Sequence, residues 1–162
     1  MEPFSVEVVR SRRRTRTVGA RLVGSVLRVS LPAWMSTAEE ERWVAEMSRR
    51  YARRLDAGRI DLRRRARVLA ERYDLPKAAS IEWVDNMRSR WGSCTPSAGS
   101  VRISTRLASF PDWVRDYVIV HELAHLRVPG HTAAFWRLVE RYPMSERARG
   151  YLIARSGDEE QE

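Results

Sequence analysis

Apolar and polar positions alternate three times in the first 31 residues: Phe4, Val6 and Val8 around Ser5 and Glu7, then Val18, Ala20 and Leu22, then Leu27, Val29 and Leu31. A period of two marks a strand with one buried face, and Gly24 punctuates the second and third segments. The start of the chain therefore predicts a small antiparallel meander. Ser36-Thr37-Ala38-Glu39 next has the form of a capping box, and Trp43, Met47 and Tyr51 follow at intervals of four. That spacing predicts a helix over 37–54. A second, arginine-faced helix near 60–74 carries Leu62, Ala66, Leu69 and Tyr73 on one side, and both apolar stripes read as core packing.

The period returns to two at Ile81 and Trp83, and again at Val101 and Ile103 beyond a polar loop around 95–100. Two more short strands are expected. Ser109-Phe110-Pro111-Asp112 then opens a helix with a candidate cap, an early proline and an acid in the first turn. From Trp113 to Leu126 this helix is apolar on nearly every side, which predicts a central rather than a surface position. The whole reads as α+β, a small antiparallel sheet packed on helices around one central helix. Neither a repeat nor a linker divides the chain, so a single domain over 1–155 is expected, followed by a disordered acidic tail over 156–162.

Composition narrows the setting. Cys94 is the only cysteine, which excludes an internal disulfide and fits a reducing, cytoplasmic location. No apolar run approaches the roughly 20 residues of a spanning helix, and the N-terminus lacks the order of a secretory signal. The formal charge of +9 is uneven: residues 1–75 hold 18 basic and 10 acidic side chains, against 12 and 11 in residues 76–162. Arg12-Arg13-Arg14 and Arg63-Arg64-Arg65 are thus candidate phosphate contacts. Lys77 is the only lysine, so a general bias toward arginine also accounts for these runs, and a solvated surface stays open as their reading. The pattern specifies no oligomeric state.

The chemistry concentrates in the central helix. His121-Glu122-Leu123-Ala124-His125 places two imidazoles one turn apart on the same face, close enough to share an ion. Zinc accepts neutral imidazole and, at catalytic sites, takes three protein ligands and keeps one position for water. Val128-Pro129-Gly130 breaks the helix and turns the chain, delivering His131 toward the pair. Two histidines and a glutamate in an otherwise apolar helix are costly to bury without partners, and a metal supplies one. His121, His125 and His131 are therefore the expected zinc ligands, with Glu140 and Glu146 as alternatives for the third place. Glu122, about 100° around the helix from His121, is placed to act as general base on a water molecule. Cys94 is a further, weaker candidate ligand, and Met144 reads as core filling. Arg102, Arg106 and Tyr142 are candidates for steadying transition-state charge, and Tyr117 for packing beneath the metal.

The run Arg90-Trp91-Gly92-Ser93-Cys94, the strand Val101-Arg102-Ile103, the segment Tyr117 to Leu126, His131 and Phe135-Trp136 together resemble the YgjP-like predicted metal-dependent hydrolases. The match covers about residues 80–142, and the N-terminal pattern of strands and a helix also fits. The resemblance implies a zincin-type fold, three histidine ligands and Glu122 as the base. One departure is Ser104, where that family often has asparagine. The Arg90–Cys94 segment is expected to form a turn and strand bordering the cleft, where it could align an extended peptide by strand addition or serve simply as a structural hairpin.

Three functions remain open on these residues. A zinc metallopeptidase acting on polypeptides suits a lone ion beside a glutamate. A nucleoside triphosphate pyrophosphohydrolase, an activity also associated with the resemblance, would use the N-terminal arginines. A non-catalytic zinc module for nucleic acid or a protein partner would not need Glu122, since structural zinc sites are closed by four protein ligands.

Overall fold

Leu27, Val29 and Leu31 set the first sheet. They are completely buried, and the strand that carries them, β3 (Val26–Pro32), lies between β1 (Ser5–Ser11) and β2 (Gly19–Val23) in the order β1-β3-β2. The computed structural model describes residues 3–159, the last three by backbone alone, in two compact units that divide between residues 55 and 56.

In the first unit β2 and β3 form the expected antiparallel hairpin, Val23 opposite Val26. Gly24 turns it with a φ of +61°, a conformation open to glycine without a Cβ clash. The expected antiparallel meander is corrected at β1, which runs parallel to β3 from Ser5↔Val26 to Ser11↔Pro32. The most apolar strand takes the central place, where both edges are covered, and the link over residues 12–18 carries the chain past it. β1 and β2 run in opposite directions, so β3 between them is parallel to one and antiparallel to the other. Helix α1 (Thr37–Gly58) opens on the expected capping box: Glu39 N–H donates to Ser36 Oγ at 3.2 Å, and Ser36 N–H donates to Glu39 Oε2 at 3.0 Å. Met47, Trp43 and Tyr51 pack with the buried face of β3, and the Tyr51 hydroxyl donates to the Ala20 carbonyl at 2.6 Å.

The second unit repeats the same connectivity with three more strands, β4 (Ser80–Val84), β5 (Gly92–Thr95) and β6 (Ser100–Ser104), ordered β4-β6-β5. β4 is parallel and β5 antiparallel to β6, so this sheet too is mixed rather than antiparallel. Helix α2 (Leu62–Arg72), capped by Asp61, packs on β4 and on α3 (Asp112–His125). α3 is the central helix: Val114, Ile119, Val120, Leu123 and Ala124 have no accessible surface. It packs against β5, β6, α4 (Ala133–Val139) and α5 (Ser145–Glu159). Two of its three buried charged side chains are in ion pairs, the third being Glu122. Asp116 receives Arg65 of α2 in a bidentate ion pair at 2.8 and 2.6 Å, and Arg115 pairs with Asp112. α5 runs through Glu159, into the segment expected to be a disordered tail; residues 160–162 of that segment lie outside the described residues. None of the described helices is long and apolar enough to cross a membrane.

Candidate metal centre

The last turn of α3 presents His121 and His125 on one face, and the chain then stops being helical. Leu126, Arg127 and Val128 close the end with bonds to the carbonyls of Leu123 and Ala124, and Pro129 bars further helix. Thr132 begins α4 by accepting the Phe135 N–H on its hydroxyl. The reversal brings His131 over the pair. His131 Nε2 lies 3.1 Å from His125 Nε2 and 3.4 Å from His121 Nε2, and the donor atoms of the trio all fall within 4.8 Å of one another.

These distances suit a shared ion. Imidazole nitrogens about 2.0–2.1 Å from a tetrahedral zinc stand about 3.3–3.4 Å apart. His125 Nδ1 faces the Val128 carbonyl at 3.1 Å; only a protonated Nδ1 can donate there, which leaves the Nε2 lone pair directed at its neighbours. Burial, then the nearby His125, His131 and Arg149, lowers the His121 pKa to about 3, so the ring is neutral at ordinary pH, the form that binds metal. Beneath all three rings sits Phe135, fully buried, stacked on His125 at 4.2 Å and edge-on to His121 and His131 at 4.9 and 5.0 Å. Among the described residues no other group of three histidine, cysteine or acidic side chains is placed to hold an ion.

Glu122 turns toward β5. Its carboxyl is buried, which raises its pKa to about 7 despite the opposing charge of Arg90. Gly92 makes the approach possible: a Cβ there would stand 3.0 Å from both Cγ and Oε1 of Glu122 and 3.1 Å from Val118 Cγ1. The Arg90–Cys94 segment thus bends at Trp91 and enters β5 at Gly92, bordering the site at an edge of its sheet. The trio and Glu122 open into a cleft of about 820 Å³, lined also by Arg90, Trp91, Tyr117, Trp136 and Arg149. Tyr117 meets His121 edge-on at 6.0 Å.

Other candidates fall elsewhere. Cys94 lines the cleft outside the trio; burial and the Glu122 charge push its thiol up to about 11. Glu140 and Glu146 are exposed and apart from the three imidazoles. Arg102 pairs with Glu82 at 3.4 Å. Arg106 lies on the Trp91 ring at 4.1 Å and donates to the Arg90 carbonyl at 2.9 Å, propping the cleft wall from behind. Tyr142 donates to the Trp113 carbonyl at 2.9 Å, and Met144 packs on the core as expected. The cations in the cleft are Arg90, quoted above without a role, and Arg149, which no motif marks.

An HExxH helix inside this α+β frame, its glutamate buried beside three clustered imidazoles, defines a zincin-like fold. The chain belongs to the YgjP-like metallopeptidase-domain family, whose sequence model matches residues 34–152. Two solved structures are similar. The metallopeptidase zymogen jannalysin of Methanocaldococcus jannaschii has 17% identity over 59% of this chain and 97% of its own, with a TM-score of 0.51. The metallopeptidase zymogen abylysin of Pyrococcus abyssi has 19% identity over 53% of this chain and 83% of its own, with a TM-score of 0.47. No curated protein matches the chain in sequence.

Proposed function

We propose that the chain is a zinc metallopeptidase in which His121, His125 and His131 hold the ion and Glu122 is the general base. The observation that carries this reading is the convergence of three imidazole nitrogens at 3.1 and 3.4 Å beside a buried carboxyl at the wall of the same cleft. Zinc bound by such a donor set lowers the pKa of water toward 7 and polarises a carbonyl. Glu122 accepts the proton of the attacking water and returns it to the leaving amine. Phe135 and the Val128 carbonyl fix the rings, and β5 keeps bulk water from the Glu122 carboxyl.

A buried carboxylate is a poor companion for a purely structural zinc, which argues against a non-catalytic module. Nucleoside triphosphate hydrolysis is the second reading, favoured by Arg90 and Arg149 in the cleft. Phosphoryl transfer commonly recruits magnesium, and among the described residues no carboxylate cluster joins the trio. The test is to incubate the zinc-loaded protein and its Glu122→Gln variant with unfolded polypeptides, and separately with nucleoside triphosphates with and without magnesium. Glu122-dependent peptide cleavage is expected, with a loss of about 10²–10⁴-fold in the variant. Phosphate or pyrophosphate release that depends on Glu122, with polypeptides intact, would replace the peptidase reading.

A further inference from the structure

Arg149 projects from α5 onto the face of Trp136, its Cζ 4.3 Å from the ring centroid. Trp136 is in turn stacked on His131, at 5.9 Å and 25° between planes. A guanidinium held over an indole ring keeps N–H donors available while its freedom is reduced. Among the described residues no carboxylate pairs with Arg149, although the side chain is exposed. The stacked pair also belongs to two hollows at once. It walls the metal cleft, and it walls a second hollow of about 520 Å³ completed by Ala133, Arg137 and Glu140. A chain leaving the three histidines toward that hollow must pass over the pair.

Resting on the peptidase reading above, we infer that Arg149, positioned by Trp136, is a specificity-determining subsite that binds a carboxylate of the peptide substrate beside the scissile bond. The two ring contacts end to end put the guanidinium within about 10 Å of the His131 ring, which three extended residues span. The recognised group is therefore an acidic side chain, or the chain's own C-terminal carboxylate, within about three residues of the cleaved bond. A planar fork of donors takes a carboxylate by two parallel hydrogen bonds. Arg137 reinforces the sign of the second hollow, and Glu140 on its far wall opposes it, which favours a single acid over a run of them.

The experiment measures binding, so that it does not depend on turnover. Zinc-loaded Glu122→Gln protein is titrated with two pools of blocked heptapeptides that differ only in glutamate for glutamine, and with the glutamine pool carrying a free C-terminus. The expected result is about tenfold tighter binding of one carboxylate-bearing set, the margin of a charge-assisted bidentate contact. The glutamate pool identifies a side chain as the ligand, and the free-acid pool identifies the terminus. Arg149→Gln should erase the margin and Arg149→Glu should reverse it toward peptides with lysine, while circular dichroism and zinc content stay as in the parent. Equal binding of all sets, no binding of any, or a margin that survives Arg149→Gln overturns the inference, even where unfolded polypeptides are cleaved. Nucleoside triphosphate binding that is lost in Arg149→Gln, with the peptide sets indistinguishable, assigns the guanidinium to phosphate and overturns it as well.

Discussion

Gly92→Ala is the smallest change that separates the base from the metal. The added Cβ meets Glu122 Cγ and Oε1 at 3.0 Å and Val118 Cγ1 at 3.1 Å, against an ordinary contact of 3.4–4 Å. Neither neighbour yields easily: Val118 is buried on α3, and Glu122 Cγ is fixed by the same helix. Overpacking of this kind costs about 1–3 kcal/mol. At about 2 kcal/mol, the Tm of a chain this size falls by roughly 4–8 °C. The Glu122 carboxyl must give by a few tenths of an ångström, a part of the displacement near 1 Å that costs about 10²-fold at a reacting group. The expected outcome is peptidase kcat/KM reduced about tenfold with zinc content unchanged, because the atoms the added Cβ meets belong to Glu122 and Val118 and not to the three histidines. Gly150→Ala, with open space around its Cβ and a helical backbone, serves as a control that keeps activity and gains up to about 1 kcal/mol. In a Glu122→Ala background the stability penalty of Gly92→Ala should shrink, since part of the clash is gone. Activity of Gly92→Ala within a factor of about three of the parent, or an undiminished penalty in the double variant, refutes the argument that β5 packs on the base.

His121→Ala, His125→Ala and His131→Ala should each lose most bound zinc by elemental analysis while Glu140→Ala retains it; full retention in His131→Ala would move the third ligand elsewhere. Phe135→Leu removes the surface on which three imidazoles rest, and zinc competition with a chromophoric chelator should show affinity lowered about tenfold or more, the effect of losing a group that orients ligands. Asp116→Asn breaks the bidentate pair with Arg65, which is 42% exposed. Screening holds the loss to about 2 kcal/mol, below the roughly 3–5 of a fully buried pair, and urea unfolding should show it; a midpoint unchanged within error would make the pair dispensable. Removing zinc by chelation should lower the Tm, and adding zinc back should restore it.

The clustering of the three histidines was readable because it is local. His121 and His125 share a helical face by spacing alone, and Pro129-Gly130 announces the turn that returns His131. Strand existence was equally readable from the alternation at Leu27, Val29 and Leu31 and at Val101 and Ile103. Pairing direction was not, because period two says which residues share a face and nothing about neighbours; hence the parallel β1–β3 and β4–β6 ladders. Arg102, Arg106 and Tyr142 were candidates only because they carry donors near the motif in sequence. Arg149 enters the cleft through the packing of α5 on α3, a long-range contact that leaves no mark in the residues around it. Phe135 entered only as part of the family resemblance; it is fully buried, and the surface it fills is the underside of the imidazoles.

The order of assembly follows from how far apart these parts are along the chain. The three imidazoles fall within eleven consecutive residues, so the ion can be captured as soon as one helix and one turn exist. Glu122 becomes enclosed only when β5, about 30 residues upstream, has paired with β6 and closed over α3, a non-local event that forms late and opens early. On the proposed reading, a nascent or partly opened molecule can therefore carry a metal while Glu122 lies in bulk water, silent toward neighbouring unfolded chains at the moment it most resembles one. In a urea series, cleavage should disappear at a lower concentration than zinc release begins; coincident loss of the two would show that the site assembles in a single step.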